Sequence, residues 1–95
     1  MKVDRSDVIK SLPKKGFRKN KRSDHIYFYH EFDGKETGPF TKVSHSKKEK
    51  DITGDLLLSM RKQLRLDTNR QAADLLSCPM DGDTFNSIMK EKGIF

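Results

Sequence analysis

The sequence HIYFYHEF at residues 25–32 is a run of aromatic and β-branched side chains without glycine or proline. This composition is typical of a β-strand, in which alternate side chains point to opposite faces of the sheet. One face therefore carries Ile26, Phe28 and His30, and the other carries His25, Tyr27 and Tyr29. We predict that the first set is structural and that the second can meet a ligand.

Two neighbouring segments complete a predicted sheet. Residues 17–21 form a strand before the aromatic run, and residues 40–45 form a third strand with Val43 pointing inward. Asp33-Gly34 opens a turn, and we expect the loop to continue to Gly38 and Pro39, since both are turn residues.

Helical periodicity precedes the sheet at residues 4–16. Asp4 or Ser6 can cap this helix. Pro13 lacks the N–H that would bond to residue 9, so the helix should kink or restart there. Gly16 then ends it.

Three further helices follow a polar, lysine-rich loop at residues 46–52. Thr53 caps the first, Thr68 begins a capping box for the second, and Asp81 caps the last, which ends at Gly93. The predicted inward-facing residues are Leu56, Leu57, Met60 and Leu64, then Ala72, Leu75 and Leu76, then Phe85, Ile88 and Met89.

This order predicts an α+β fold, with a small three-stranded antiparallel sheet, helices on one face (α-β-β-β-α) and two short C-terminal helices. Double-stranded-RNA-binding domains share the core order, which is an analogy of fold and not of activity. The 95 residues suit one domain. We expect residues 1–66 to form its core and residues 67–95 to be a helical extension packed on the same domain.

The net charge of +6 is unevenly spread along the chain. Residues 1–66 carry 17 Lys or Arg and 9 Asp or Glu, giving +8, whereas residues 67–95 carry 3 and 5, giving −2. This asymmetry favours a polyanion as partner, nucleic acid rather than a membrane surface. The alternative is a well-solvated basic surface that binds nothing.

The single cysteine, Cys78, excludes an intrachain disulfide and fits a reducing cytoplasm. We predict that it is a small buried hydrophobe. No apolar run approaches the roughly 20 residues of a membrane helix, and the N-terminus lacks the apolar stretch of a signal peptide. We therefore expect a cytoplasmic protein. Phosphate-binding and nucleophile-elbow motifs are absent from the sequence.

Histidine is the usual side chain for proton transfer near neutral pH. RNA supplies its own nucleophile, the 2′-hydroxyl, so its cleavage needs no metal or cofactor if a histidine moves protons and cations stabilise the phosphate. His25 follows the basic segment 10–22 and is the catalytic candidate. The alternative is that His25 merely begins a strand. The histidine spacing matches no common zinc pattern, so we expect no metal site.

Side chains near His25 in the sequence can hold RNA in two ways. Cations contact phosphates, and tyrosine rings stack on exposed bases. The candidates are Lys14, Lys15, Lys19, Lys21, Arg22, Tyr27 and Tyr29.

Four short segments of the sequence are informative when they are taken together, in their order along the chain. They are Asp7-Val8-Ile9 leading to Lys15-Gly16-Phe17, then Ser23-Asp24-His25-Ile26-Tyr27, then Val43-Ser44-His45-Ser46, and last Met60-Arg61-Lys62-Gln63-Leu64-Arg65-Leu66. With these segments, residues 4–66 resemble the HicA toxins, the small mRNA interferases of HicA–HicB toxin–antitoxin pairs.

The resemblance implies ribosome-independent RNA cleavage and a HicB-like antitoxin as the inhibiting partner. It puts His25 at the catalytic position and adds Ser23 and His45 to the RNA-binding candidates. Where family members carry glycine before the histidine, this chain has Arg22-Ser23-Asp24. Residues 67–95 extend past the family core, and they either pad it or form an antitoxin or homodimer contact.

Three hypotheses follow from the sequence. The leading one is a toxin-like endoribonuclease that binds mRNA and uses His25 as general acid or base. The second is a non-catalytic nucleic-acid-binding module of the same fold. The third is an interaction protein whose basic face meets an acidic protein.

Overall fold

The computed structural model of the chain describes residues 1–45 and 50–95. Its elements are β1 (Val3–Asp4), α1 (Arg5–Ser11), a 3-10 helix (Leu12–Lys15), β2 (Phe17–Lys21), β3 (His25–Phe32), β4 (Lys35–Ser44), β5 (Asp51–Ile52), α2 (Gly54–Gln63), α3 (Asn69–Leu76) and α4 (Gly82–Glu91). Strands β2, β3 and β4 form an antiparallel sheet in that order. The predicted α+β fold class is confirmed.

The sheet buries alternate residues of its strands against the helices. Ile26, Phe28 and His30 of β3 are buried, as the alternation predicts. Val43 of β4 lies opposite Ile26 in the register and is buried with it. The remaining side chains of β3 from His25 to Tyr29 are half-buried on the other face. This second face is the open face of the sheet.

Strand β4 is longer than predicted. It begins at Lys35 because Asp33 and Gly34, both with positive φ, complete the turn by themselves. The predicted loop through Gly38 and Pro39 is wrong, since both residues lie inside β4. Among the described strands β4 is an edge, where proline is tolerated, and a register shift between Tyr29 and Glu31 accommodates the irregularity.

A second, two-stranded sheet was not predicted. Val3 of β1 pairs with Ile52 of β5, and both side chains are buried. Asp51 and Ile52 are therefore a strand and not the end of a polar loop. Residues 46–49 of that predicted loop lie outside the described residues.

Helix α1 begins at a predicted cap, ends at Ser11 before the predicted break at Pro13, and is followed by a separate 3-10 helix. The Asp4 carboxylate accepts a hydrogen bond from the Ser6 N–H at 2.8 Å and caps the helix. The chain restarts as the 3-10 helix around Pro13, and Gly16 ends it with φ of +88°. Phe17 then enters the core.

The C-terminal helices share the core with the sheet. The capping box at Thr68, the Asp81 cap and the left-handed Gly93 are confirmed. Most of the predicted inward residues of these helices are buried. Leu56 is an exception, since it is 43% exposed. Cys78 is also exposed, contrary to prediction, because Leu75 and Leu76 take the buried positions at the end of α3. In the described part of the chain no helix has the length and apolarity needed to span a membrane.

Candidate functional site

Four rings form a continuous row on the open face of the sheet. Tyr27 and Tyr29 are stacked almost parallel, with centroids 5.9 Å apart, and Tyr29 stacks on Phe40 of β4 at 6.3 Å. His25 stands edge-on to Tyr27 at 6.3 Å. Alternation along β3 and antiparallel pairing with β4 produce this arrangement. We call His25, Tyr27, Tyr29 and Phe40 the aromatic row.

Cationic side chains cover the aromatic row. The guanidinium carbon of Arg22 lies 5.1 Å from the centroid of Tyr27, and that of Arg18 lies 5.2 Å from Tyr29. The Lys42 Nζ lies 5.9 Å from the Tyr27 centroid. Such cation–π contacts hold positive charge over the rings. A surface of π-faces and cations is the kind that binds bases and phosphates together.

Acidic groups neutralise part of this charge. Arg18 donates to Glu31 at 2.8 Å and to Glu36 at 2.5 Å. Both contacts raise the pKa of the Arg18 guanidinium, and the hydrogen bond to Glu31 is the larger cause. Arg22 and Lys42 are therefore the better candidates for holding phosphate on the aromatic row.

Two of the predicted phosphate contacts lie elsewhere. Lys19 is opposite Phe28 in the register and Lys21 is opposite Ile26, so both lysines are on the helix-bearing side of β2. The sheet thus separates them from the aromatic row. A basic run within a strand divides its charges between two faces.

The remaining predicted lysines lie on the 3-10 helix. Lys14 is exposed there. Lys15 is half-buried, and its Nζ donates to the Leu75 carbonyl at 2.6 Å, which caps the C-terminal end of α3. Burial lowers the pKa of the Lys15 ammonium. Electrostatic interactions with Cys78, Asp81 and Asp74 raise this pKa but do not cancel the effect of burial. Its position gives Lys15 a structural role in docking α3.

His25 lies where β3 begins, and its side chain is 36% exposed. Its Nδ1 is 3.3 Å from an Asp24 carboxylate oxygen. The Nδ1 atom is itself sealed from solvent. The exposed part of the ring therefore belongs to its other atoms.

The Asp24 carboxylate remains ionised beside this ring. A hydrogen bond from its own backbone N–H lowers the pKa of Asp24, and the His25 side chain lowers it further. Because Nδ1 is sealed from solvent, Nε2 is the ring nitrogen that remains to exchange a proton with a ligand.

His45 holds the turn that presents this pair. The Arg22 N–H donates to the His25 carbonyl at 2.9 Å, and His45 Nε2 contacts the Arg22 carbonyl at 2.5 Å. Because a carbonyl only accepts, His45 must carry a proton on Nε2. Ser23 is exposed at the tip of this turn. Of the predicted site residues, the structure brings together His25, Arg22, Ser23, Tyr27, Tyr29 and His45.

Sequence reasoning missed three members of the site. Arg18 belongs to the basic segment but was not singled out, although its alternation with the core residue Phe17 puts it on the open face. Phe40 and Lys42 lie on the open face because of the pairing between β3 and β4. Only their alternation with Val43 could have signalled this.

His30 is fully buried, as predicted for a structural residue. Its Nε2 donates to the Asn86 side-chain oxygen at 2.7 Å, and its Nδ1 accepts from the Thr37 hydroxyl at 2.5 Å. The ring packs edge-on against Phe17 and Phe85. These contacts tie β3 to α4.

Burial makes His30 a source of pH-dependent stability. Burial lowers the pKa of His30 below its ordinary value of about 6.5, and the hydrogen bond to Asn86 only partly opposes this. The unfolded chain therefore binds more protons just below that value, so stability is complete above about pH 6.5 and falls as the pH drops. We expect the free energy of unfolding in urea to decrease between pH 7.5 and pH 5.

The matched variants for this measurement are His30→Gln and His45→Gln. The first should flatten the pH dependence in this window, whereas the second should keep it. An equal pH dependence in the His30→Gln variant and the parent would contradict this assignment.

No family model matches this chain, and searches of curated proteins and of solved structures gave no match either. A functional inference therefore depends on the geometry of the aromatic row and of His25.

Proposed function

We propose that this chain binds single-stranded RNA on the open face of its sheet and cleaves it, with His25 as general acid or base. The observation that carries the proposal is the aromatic row, with Arg22 and Lys42 over Tyr27 and the half-buried His25 at its end.

The binding step follows from the chemistry of the aromatic row. Unpaired bases stack on tyrosine and phenylalanine rings, and each such contact is worth about 1–3 kcal/mol. Arg22 and Lys42 supply positive charge to the phosphates between the bases. A duplex hides its base faces, so the aromatic row suits a single strand.

The cleavage step uses the contacts of His25. Its Nε2 would take the proton of the 2′-hydroxyl, or return one to the leaving oxygen, while the Asp24 carboxylate orients the ring. Arg22 and Lys42 would stabilise charge that develops on the phosphate. No step in this scheme requires a metal or a cofactor.

A HicA-type mRNA interferase toxin, inhibited by a HicB-like antitoxin, is the particular form of this proposal. Its support is the four segments that resemble the family, including Ser23-Asp24-His25. A neighbouring reading frame for a HicB-like protein would add to that support.

A non-catalytic RNA-binding module is the second candidate. Lys19 and Lys21 lie on the helix-bearing side of the sheet, so their positive charge is separated from His25. This separation favours the non-catalytic module. The module is also favoured by the negative charge of Asp24 beside the ring. The two candidates share the binding step and differ only in cleavage.

Replacing Tyr27 and Tyr29 together by leucine tests the shared step. Leucine keeps the apolar contact with the sheet but removes the π-face. We expect the affinity for a fluorescent single-stranded RNA to fall by roughly 30-fold or more, because two stacking contacts are lost. Anisotropy with 2′-O-methylated RNA, which lacks the nucleophilic hydroxyl, measures binding without cleavage.

The matched control is the Lys19→Gln, Lys21→Gln double variant, which alters the helix-bearing side of β2. It removes two charges but no ring, so we expect a smaller loss of affinity that shrinks further at high salt. RNA affinity that survives the tyrosine replacements but not the lysine replacements would show that the open face is not the binding surface.

A further inference from the structure

A cavity of about 270 Å³ lies between the end of β4 and helix α2. His25 belongs to its lining as well as to the aromatic row. Pockets for drug-sized ligands measure roughly 300–1,000 Å³, so this cavity has room for one heterocycle and not for a peptide helix. We call it the β4–α2 cavity.

Apolar side chains form part of its wall. Ile52, Leu56 and Met60 line it, and Leu56 is the predicted core residue that remains 43% exposed. A flat apolar ligand in the cavity would cover the surface that Leu56 leaves uncovered. The exposure of Leu56 thus has a physical reason if the cavity is occupied.

Hydrogen-bond donors give the wall its chemical preference. Gln63 lines the cavity, and its side-chain oxygen accepts from the hydroxyl of the buried Thr41 at 2.8 Å. Because that bond engages the amide oxygen, Gln63 can donate hydrogen bonds to a ligand through its side-chain N–H groups. These donors match a carbonyl on the edge of a base, which uracil, guanine and cytosine have and adenine lacks.

Positive charge surrounds the same cavity. Arg5 and Lys42 are part of its lining. The Arg5 Nε donates to the Ser44 carbonyl at 2.6 Å, which fixes its guanidinium at the end of β4. An apolar wall with cations beside it suits a base attached to a phosphate.

We propose that the β4–α2 cavity binds one unstacked, carbonyl-bearing base of the RNA strand that lies on the aromatic row. This inference rests on the proposed function. His25 neighbours Tyr27 and also lines the cavity, so the phosphate that joins a stacked nucleotide to the cavity nucleotide would lie beside its ring. The cavity would then select which phosphate His25 meets, and so determine sequence preference.

Two variants test this with 2′-O-methylated heptauridylate and heptaadenylate as probes. Ser59→Trp puts a bulky ring at an exposed position of the cavity lining. Gln63→Glu keeps the acceptor for Thr41 but replaces the N–H donors by a carboxylate oxygen. We expect each variant to lower the ratio of uridylate to adenylate affinity by about tenfold, the effect of losing one good polar contact.

The matched control is Ser87→Trp, an equal enlargement at an exposed serine of α4. It should leave both affinities and their ratio unchanged. Circular dichroism and thermal unfolding of each variant confirm that the fold is kept.

The outcomes separate this inference from the proposed function. An unchanged affinity ratio in both cavity variants, with binding still lost on replacing Tyr27 and Tyr29, overturns the cavity assignment alone. A parent protein that binds neither oligonucleotide overturns both. Binding of free uridine monophosphate that Ser59→Trp removes, without any change in RNA affinity, shows a mononucleotide site and also overturns the inference.

Discussion

Replacing His25 by alanine is expected to slow RNA cleavage by about 10²- to 10⁴-fold, the range that a general acid–base contributes. The reason is that His25 is the one histidine of the aromatic row, and histidine is the usual side chain for general acid–base catalysis. The measurement is single-turnover cleavage of a labelled, unstructured RNA, with chelator present so that metal-dependent contaminants are silent. RNA binding should remain within a few-fold of the parent, because Tyr27 and Tyr29 are intact.

The control is His45→Ala, which removes a neighbouring histidine that holds the turn. It should slow cleavage less than His25→Ala does. Asp24→Asn tests the orienting carboxylate, and it should alter the pH profile of cleavage as well as its rate. Equal cleavage by the parent and the His25→Ala variant would rule out this mechanism. RNA binding by a parent that yields no product would leave the non-catalytic module.

Replacing Phe85 by alanine is expected to destabilise the protein by about 3–5 kcal/mol, the usual cost of removing a buried phenylalanine. Phe85 of α4 is fully buried, and its ring lies 5.3 Å from that of Phe17 and 4.9 Å from that of His30. A loss of this size is a large part of the roughly 5–15 kcal/mol that stabilises a small domain. The change in the free energy of unfolding is measured by urea denaturation, with circular dichroism as the signal.

Ser87→Ala on the exposed side of α4 is the control, and its stability should lie within about 0.5 kcal/mol of the parent. A small effect of Phe85→Ala would mean that residues 67–95 are a dispensable appendage. The expected large effect would make α4 an integral part of the core, through which it supports the sheet beneath the aromatic row.

Local signals made much of this fold predictable. Alternation in β3, the restart at Pro13 and the caps at Thr68 and Asp81 depend on neighbours within a few residues, and the structure confirms them. Two of the failures involve distant partners. Pro39 lies within β4 because that strand is an edge, and Ile52 is a strand residue because Val3 pairs with it.

The candidate site likewise has features that local sequence patterns predict and features that depend on distant partners. Alternation along β3 alone indicated that His25, Tyr27 and Tyr29 share a face. The side on which Lys19 and Lys21 lie follows from their pairing with β3. The basic run looks continuous in the sequence, but a pleated strand sends successive charges to opposite faces.

The sequence by itself determined the α+β class, the face of β3 that is buried, and the presence of rings and positive charge in one region of the chain. These properties follow from periodicity and composition, which are local. Only the tertiary structure decided which cations lie over the rings, and that His25, at one end of the aromatic row, also lines the β4–α2 cavity. Those properties depend on strand register and on how α2 packs against β4, and both arise from contacts between residues far apart in the chain.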